Sequence, residues 1–525
     1  MDRPAPGDVA ELFSRADALA AAWSASVAGS TTAGVERAVL RLFGVGGVDR
    51  TGRPLAAAVV DRHLATDPGR LGAGIAMPFA MAMAEYDLGA MDTALDVAAG
   101  SIDLALEAEL LAEPDRRATA EGDARRLASG ALARIDANRL ARADLLQVLG
   151  DARRPWVGAH VHEPAIVDAL DELAAAVRAG VDLIRVAVPA SRELASWLAR
   201  IGHATSPWAP APTSRAGLDG HDASGAPIPT GSQRALAVLR RAADELAAER
   251  GAYVRIATEA PALAAPEQAV VAAFERVDVV LADPMREIVA GRVDPDRALV
   301  DHAFAHRLLS RAGACLLIGA GPLVVARDLA AGVPSDPATR SGRALALQLL
   351  ATQIAVHDGM PAERVLLGAM PEWLMSEPGA PARAAAEIAV RRVLLPDHPL
   401  AYVEPETRDG APAAWAAVLG ALLPDSADVA LVLRLTAGEV AGATRTAASV
   451  AVALGRIEPS PLGPVAGAHA AGMLTAALET IRMLEDDGWR AVTDDGAGAS
   501  DGRLGADTVA ERTEAFDPFA SLTSG

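Results

Sequence analysis

The stretch P-W-V-G-A-H-V-H-E-P, Pro155 to Pro164, marks where the chain changes its pattern. Before it, apolar residues follow helical spacing; after it, short apolar runs alternate with helical stretches. Trp156–Val161 is the first of these runs. It leads into two histidines, His160 and His162, which a strand places on one side. Seven further runs of strand length follow: Asp182–Val188, Tyr253–Ala257, Val277–Ala282, Cys315–Gly319, Arg364–Gly368, Leu400–Val403 and Val429–Leu433. Helical stretches such as I-V-D-A-L-D-E-L-A-A-A-V-R-A-G and R-A-L-V-D-H-A-F-A-H-R-L-L-S-R separate them, with Gly180 and Gly313 where helix C-caps fall. Alternating strands and helices imply parallel strands and right-handed crossovers. Eight such units predict an α/β fold, a (β/α)8 TIM barrel. An open doubly wound sheet is the alternative, but no G-x-G-x-x-G opens a helix after a strand.

Working outward, residues 1–150 read as a helical accessory region without a strand. V-E-R-A-V-L-R-L-F, Val35 to Phe43, repeats its apolar residues at three and four, and Ser30, Thr31 and Thr32 precede it as candidate caps. The barrel is expected over 151–460. A closing helix near 465–487 and a tail complete 461–525, with 493–510 reading as flexible and F-D-P-F, Phe516 to Phe519, able to dock back or meet a partner. The longest insertion, Gly202 to Gly231, reads as a surface loop or lid.

Composition narrows the function classes. The net charge is −20 and argues against a broad phosphate-binding surface, so no nucleic-acid partner is expected. One cysteine, Cys315, excludes a disulfide framework or a cysteine-rich zinc site within the chain. The opening M-D-R-P-A-P-G-D lacks the apolar core of a signal peptide, and no run of about 18 apolar residues appears. The expectation is a cytoplasmic protein with no membrane partner. The chain contains no lysine, so it cannot itself form a lysine Schiff base.

In a barrel, reactive groups gather where strands end. His160 and His162 stand at such a place, but a metal needs further ligands. The runs from Cys315, Arg364 and Val429 lead into I-G-A-G, L-G-A-M and R-L-T-A-G-E, leaving Glu439 and Asp283 as the best carboxylates. The histidines therefore read as a polar pocket wall, with no metal; a metal-dependent hydrolase is the weakest functional reading. His302 and His306 share a helix face, but Ala303 stands where a zinc-protease motif needs Glu, so they read as ordinary helix residues. Arg297 and Asp301 read as a solvated helix face, and Cys315 as core.

The order of motifs resembles a known family, the large alpha subunits of lysine 5,6-aminomutase and D-ornithine 4,5-aminomutase. The similarity starts at T-T-A-G-V-E-R-A-V-L-R-L-F-G-V-G-G-V-D, Thr31 to Asp49, where the family shows T-T-x-x-x-E-R, R-L-x-G and G-V-D. It continues through P-L-A-A-A-V-V-D, R-L-G-A-G, R-I-D-A-N-R, Y-V-R-I, E-R-V-D-V-V-L-A-D (Glu275–Asp283), R-A-L-V-D (Arg297–Asp301), G-M-P-A-E-R-V-L-L-G, E-P-G, H-P-L-A-Y and F-D-P-F, over nearly the whole chain.

The resemblance implies a TIM barrel that pairs with a small subunit carrying adenosylcobalamin and the lysine that holds pyridoxal phosphate. It implies a radical shift of an amino group on a lysine- or ornithine-type substrate. The positions expected to grip pyridoxal phosphate are altered. The family's I-R-T-T-G-Q-S faces V-A-V-P-A-S-R, Val186 to Arg192, with Val188 altered, and N-Y-C-S-G faces T-E-A-P-A with Pro261. A family tyrosine over the cofactor ring falls at Arg286, T-G-E-D at A-G-P-L with Leu323, and the lysine of P-P-T-K at Thr407. Where this chain has H-V-H-E-P the family has an uncharged turn. The expected polar groups of this remodelled mouth are His160, His162, Glu163, Asp283, Arg286, Glu404 and Arg408. Two readings follow: an aminomutase large subunit with a degenerate pyridoxal phosphate pocket, or a repurposed homologue acting as scaffold, regulator or corrinoid-complex partner.

Overall fold

Eight parallel strands pair in chain order, and the last pairs with the first to close a barrel. The computed structural model describes residues 6–47, 49, 54–65, 67–152, 156–161, 166–186, 233–260, 262–289, 293–319, 336–369, 380–403, 429–432, 463–489, 492, 508–513 and 516–523. The barrel strands are β2 (Trp156–Val161), β3 (Leu183–Val186), β4 (Arg255–Glu259), β5 (Val279–Leu281), β6 (Cys315–Ile318), β7 (Val365–Ala369), β8 (Leu400–Val403) and β9 (Val429–Val432). All eight lie within or across the runs expected from the sequence.

Alternation along the strands separates two cores. Trp156, Leu183, Ala257, Val279, Leu317, Leu366 and Ala401, one from each of seven strands, pack together inside the barrel. Their neighbours Ala159, Ile184, Ile256, Val280, Leu316, Leu367 and Leu400 join the larger core outside it. Arg255 lies over the Trp156 ring at 3.5 Å, closing the barrel floor with a cation–π contact.

Four strands, β3, β4, β5 and β7, begin later than the apolar pattern suggests, and before β3 and β5 an aspartate braces the neighbouring strand. Asp182 accepts from the Val157 amide (3.0 Å) and Asp278 from that of Ile256 (2.9 Å). Asp278 also receives Arg142 (2.8 Å), Arg240 (3.0 Å) and the Tyr253 hydroxyl (2.9 Å). Burial raises its proton affinity, but the charges of Arg142 and Arg240 overcome this and hold the carboxyl below its usual range. Arg142 belongs to the long helix Pro114–Leu149, so this carboxylate fastens that helix to the barrel foot.

The N-terminal helices wrap the barrel through buried polar contacts. Thr32 caps the helix Ala33–Leu42 by accepting from the Val35 amide and also donates to Asp301. Arg37 pairs with Glu267 at 3.0 Å, both 1% exposed. Glu36 accepts from Thr31 (2.5 Å) and from the Ile75 amide (2.7 Å). Arg297 and Asp301, expected on a solvated face, are instead fully buried and paired at 2.6 Å, because the wrap covers that side of the helix Pro295–Ala312. Gly34 permits this approach: a Cβ there would lie 2.6 Å from the Arg297 guanidinium.

The accessory region also holds a strand that the sequence does not announce. β1 (Ser30–Thr32) pairs antiparallel with β10 (Val509–Glu511), and Thr508 accepts from Arg297. The tail docks back: Phe519 is buried with its ring 6.0 Å from that of Phe43. The closing helix Gly463–Asp487 packs on the helix Pro337–His357, where a Cβ on Gly342 would meet the Met473 carbonyl at 2.4 Å.

Asp301→Ala leaves Arg297 buried without its carboxylate and is expected to cost about 3–5 kcal/mol. Glu11→Ala, which removes an exposed partner of Arg15 and Arg482, is expected to shift the unfolding midpoint far less. Urea unfolding of both variants measures the contrast, and equal midpoints would refute it.

Candidate functional site at the barrel mouth

The inward phase of three adjacent strands ends in charged or polar groups. His160 on β2 stands in register beside Arg185 on β3. Arg185 Nη2 donates to Glu259 Oε2, at the end of β4, at 2.6 Å. Arg286, on the short helix Pro284–Val289 after β5, pairs with the other oxygen of Glu259 at 2.6 Å. Burial raises the proton affinity of Glu259, but the charges of Arg286 and Arg185 overcome it and keep the carboxyl below its usual range. Arg286 is 44% exposed, so it presents this line of charge to the mouth.

The inward positions after β6 and on β7 are Gly319 and Gly368, where a Cβ on Gly368 would lie 3.1 Å from the Gly319 Cα. The described part of the mouth thus sets a cationic edge on β2–β4 opposite two residues without side chains on β6 and β7.

The structure places three of the seven predicted mouth residues. His160 and Arg286 belong to the charged edge. Asp283 lies behind it, buried, where Oδ1 accepts from the amides of Met285 (2.9 Å) and Arg286 (3.2 Å). His162, Glu163, Glu404 and Arg408 lie outside the described residues, as do Val188, Pro261, Leu323, Thr407 and the Gly202–Gly231 insertion. Among the described residues no three His, Cys, Asp or Glu side chains converge as a metal site. Arg185 and Glu259 were passed over in the sequence. Their signal was a charge on the inward phase of the runs L-I-R-V and R-I-A-T-E, where a packed interior wants apolar groups.

Behind the mouth, Glu287 accepts from His302 Nε2 (3.0 Å) and from the Leu263 amide (3.2 Å). Leu263 has a left-handed backbone, φ 64°, which a branched residue adopts at a cost of about 1–2 kcal/mol. Two contacts over-determine it, because its carbonyl also accepts from Arg37. His306, one turn from His302, bonds Asp358 at 2.8 Å. Both histidines are fully buried on the helix Pro295–Ala312, each with a carboxylate partner.

A family model described as the D-lysine 5,6-aminomutase TIM-barrel domain of alpha subunit matches residues 6–411. The chain belongs to this family. It is 27% identical over 409 residues to the lysine 5,6-aminomutase alpha subunit of Fusobacterium nucleatum subsp. nucleatum, covering 76% of this chain and 71% of that one. It is 26% identical over 376 residues to the lysine 5,6-aminomutase alpha subunit of Acetoanaerobium sticklandii, covering 71% of this chain and 66% of that one. Among the described residues no helix is long and apolar enough to cross a membrane.

The residues this chain shares with the aminomutase pattern sit largely in the scaffold. T-T-x-x-x-E-R supplies Thr31, Thr32, Glu36 and Arg37, all buried in the wrap. R-A-L-V-D supplies Arg297 and Asp301, E-R-V-D supplies Asp278, and R-I-D-A-N-R supplies Asn138, whose amide donates to the Phe274 carbonyl at 2.8 Å.

Burial pushes the Asp283 carboxyl up from 3.8 to about 6, against two backbone amides and the charges of His302 and Arg286. Between those values the folded protein holds a proton that the unfolded chain has lost, so this group's contribution to stability declines as pH rises through the window. The full effect is up to about 3 kcal/mol. Asp283→Asn removes it while keeping an oxygen for the helix cap. Its melting temperature relative to wild type is expected to climb between about pH 4 and pH 7. A flat difference across that range, measured by thermal unfolding, would show that Asp283 does not titrate this way.

Proposed function

We propose that the chain is the large, barrel-bearing subunit of an aminomutase-like complex, and that its mouth holds an anionic group of the ligand against Arg185, Arg286 and His160. The observation that carries this reading is the Arg185–Glu259–Arg286 line. Two guanidinium groups share one carboxylate, leaving one positive charge at the open edge. A carboxylate or phosphate placed there completes the pairing with charge-assisted hydrogen bonds. Glu259 holds both arginines at the mouth through its two carboxylate oxygens.

The family resemblance supports a small partner subunit that brings adenosylcobalamin, whose cobalt–carbon bond supplies radical chemistry when bound. Pyridoxal phosphate meets a mixed fit. The arginines suit its phosphate, but this chain has no lysine, and Arg286, tied to Glu259, occupies the place of the ring-covering aromatic. Its grip through this chain is therefore reduced to the anion. That reduction also favours a second reading, a barrel that keeps the scaffold and partner while serving different chemistry.

Isolating the tagged chain from its own cells and recording the UV–visible spectrum separates these readings. Corrinoid bands with a co-purifying small subunit are the expected result. A pyridoxal band beside them marks an aminomutase, and its absence the repurposed barrel. A well-folded chain with neither corrinoid nor partner would defeat both. Within the complex, Arg286→Gln is expected to weaken binding of an anionic ligand about tenfold or more, the worth of one charge-assisted hydrogen bond.

A further inference from the structure

Asp283, Glu287 and His302 form a buried titratable cluster directly behind the mouth, and the proposed ligand binding does not use it. The helix Pro284–Val289 bridges the two: Arg286 reaches forward to Glu259, and the next residue, Glu287, reaches back to His302. Asp283 caps the same helix and feels the charges of both His302 and Arg286. Asp283 Oδ2 and His302 Nδ1 are buried and have no protein partner. The cluster therefore has an acceptor and a ring nitrogen in hand beyond those that its bonds consume.

We propose that binding of an anion at the barrel mouth is coupled to uptake of a proton by the Asp283–Glu287–His302 cluster, an inference that rests on the mouth being an anion site. The charges around His302 make the case. Facing it are Glu287 from the bridging helix, Asp283 from the turn before it, and Asp301 from its own helix. Against these three carboxyls stand His302 and Arg297, which is bound to Asp301. Within the cluster three acids face two cations, and Arg286 adds its charge to Asp283 from the mouth side. Among the described residues Arg37 is paired with Glu267, and on the other side His306 faces Asp358 and Arg307. The proton affinities point the same way. Burial raises the Asp283 and Asp301 carboxyls, and although burial opposes it, the surrounding acids raise His302.

An anion beside Arg286 offsets the charge that Asp283 feels from that arginine, and the response of the buried acids is to bind a proton. Reciprocity then requires that lower pH tighten anion binding. The coupling runs through one short helix and needs no domain movement.

Sulfate is the probe, because its own charge is fixed near neutrality. Calorimetric titration at about pH 6.5 in two buffers of different ionisation enthalpy reads the protons exchanged. Uptake of a measurable fraction of a proton per sulfate is expected, with affinity falling severalfold from about pH 6 to pH 7.5, below the limit of about tenfold per pH unit for a single proton. His302→Gln is expected to keep sulfate binding and lose the cluster's share of the buffer dependence and the pH slope, with Asp283→Asn serving the same purpose if that variant does not fold, and His160→Gln isolates the share of the mouth histidine. Arg286→Gln locates the site by weakening sulfate binding. Sulfate that binds through Arg286 with identical heat in both buffers, or a His302→Gln profile matching wild type, overturns the coupling and leaves the anion site standing. Sulfate binding indifferent to Arg286→Gln overturns the anion site and the coupling with it.

Discussion

The buried Arg297–Asp301 pair is the constraint on which the accessory region and the barrel jointly depend. An ion pair without solvent exposure needs further hydrogen bonds to offset the cost of desolvation. Here they come from distant parts of the chain: Thr32 from the wrap reaches Asp301, and Thr508 from the tail reaches Arg297, whose Nη2 alone has no partner among the described residues. Neither charge could be buried by its own helix. The pair therefore requires the wrap and the tail in place, and β1 and β10 meet beside it. Such pairs contribute little net stability against an apolar substitute, but a misplaced wrap would leave a charge uncompensated. The contact specifies one docking arrangement.

The same helix serves the site from its other side. Arg297 and Asp301 hold the wrap, while His302 and His306 meet Glu287 and Asp358. Glu287 also fixes the strained backbone of Leu263, to which Arg37 of the wrap bonds from the carbonyl side. Wrap, β4 loop and bridging helix thus meet at the Leu263 backbone, with Arg37 on its carbonyl and Glu287, the neighbour of Arg286, on its amide. A change in the wrap reaches the mouth through a short and fully packed path.

How much of this was legible follows from the range of each interaction. The barrel strands declare themselves locally, as apolar runs between helical stretches, and Thr32 as a cap and Gly313 as a helix stop need only their neighbours. Arg297 and Asp301 mislead because an i, i+4 charge pair is usually solvated. What buries them is Thr32, remote in sequence. β1 has three residues and no pattern to read; its partner lies in the Gly/Asp-rich tail. Arg185 and Glu259 were readable in principle, as charges on the inward phase of their strands. Only the pairing of β3 with β2 and β4 marks Arg185 as facing the barrel interior.

Separating scaffold from mouth explains why the motifs can match while the site diverges. The shared residues hold Asp278, Arg37 and Asp301 in place, and each loses several partners if replaced. The mouth is built differently. Arg286 is half exposed and makes its ion pair with Glu259, while Gly319 and Gly368 contribute no side chain at all. A position with one partner tolerates exchange where a position with four does not, because fewer buried groups are stranded by the change. The exception inside the mouth is Glu259, which two arginines hold from opposite sides. Replacing it would leave Arg185 in the barrel interior without its carboxylate, so the arginine line stands or falls as a unit with that acid.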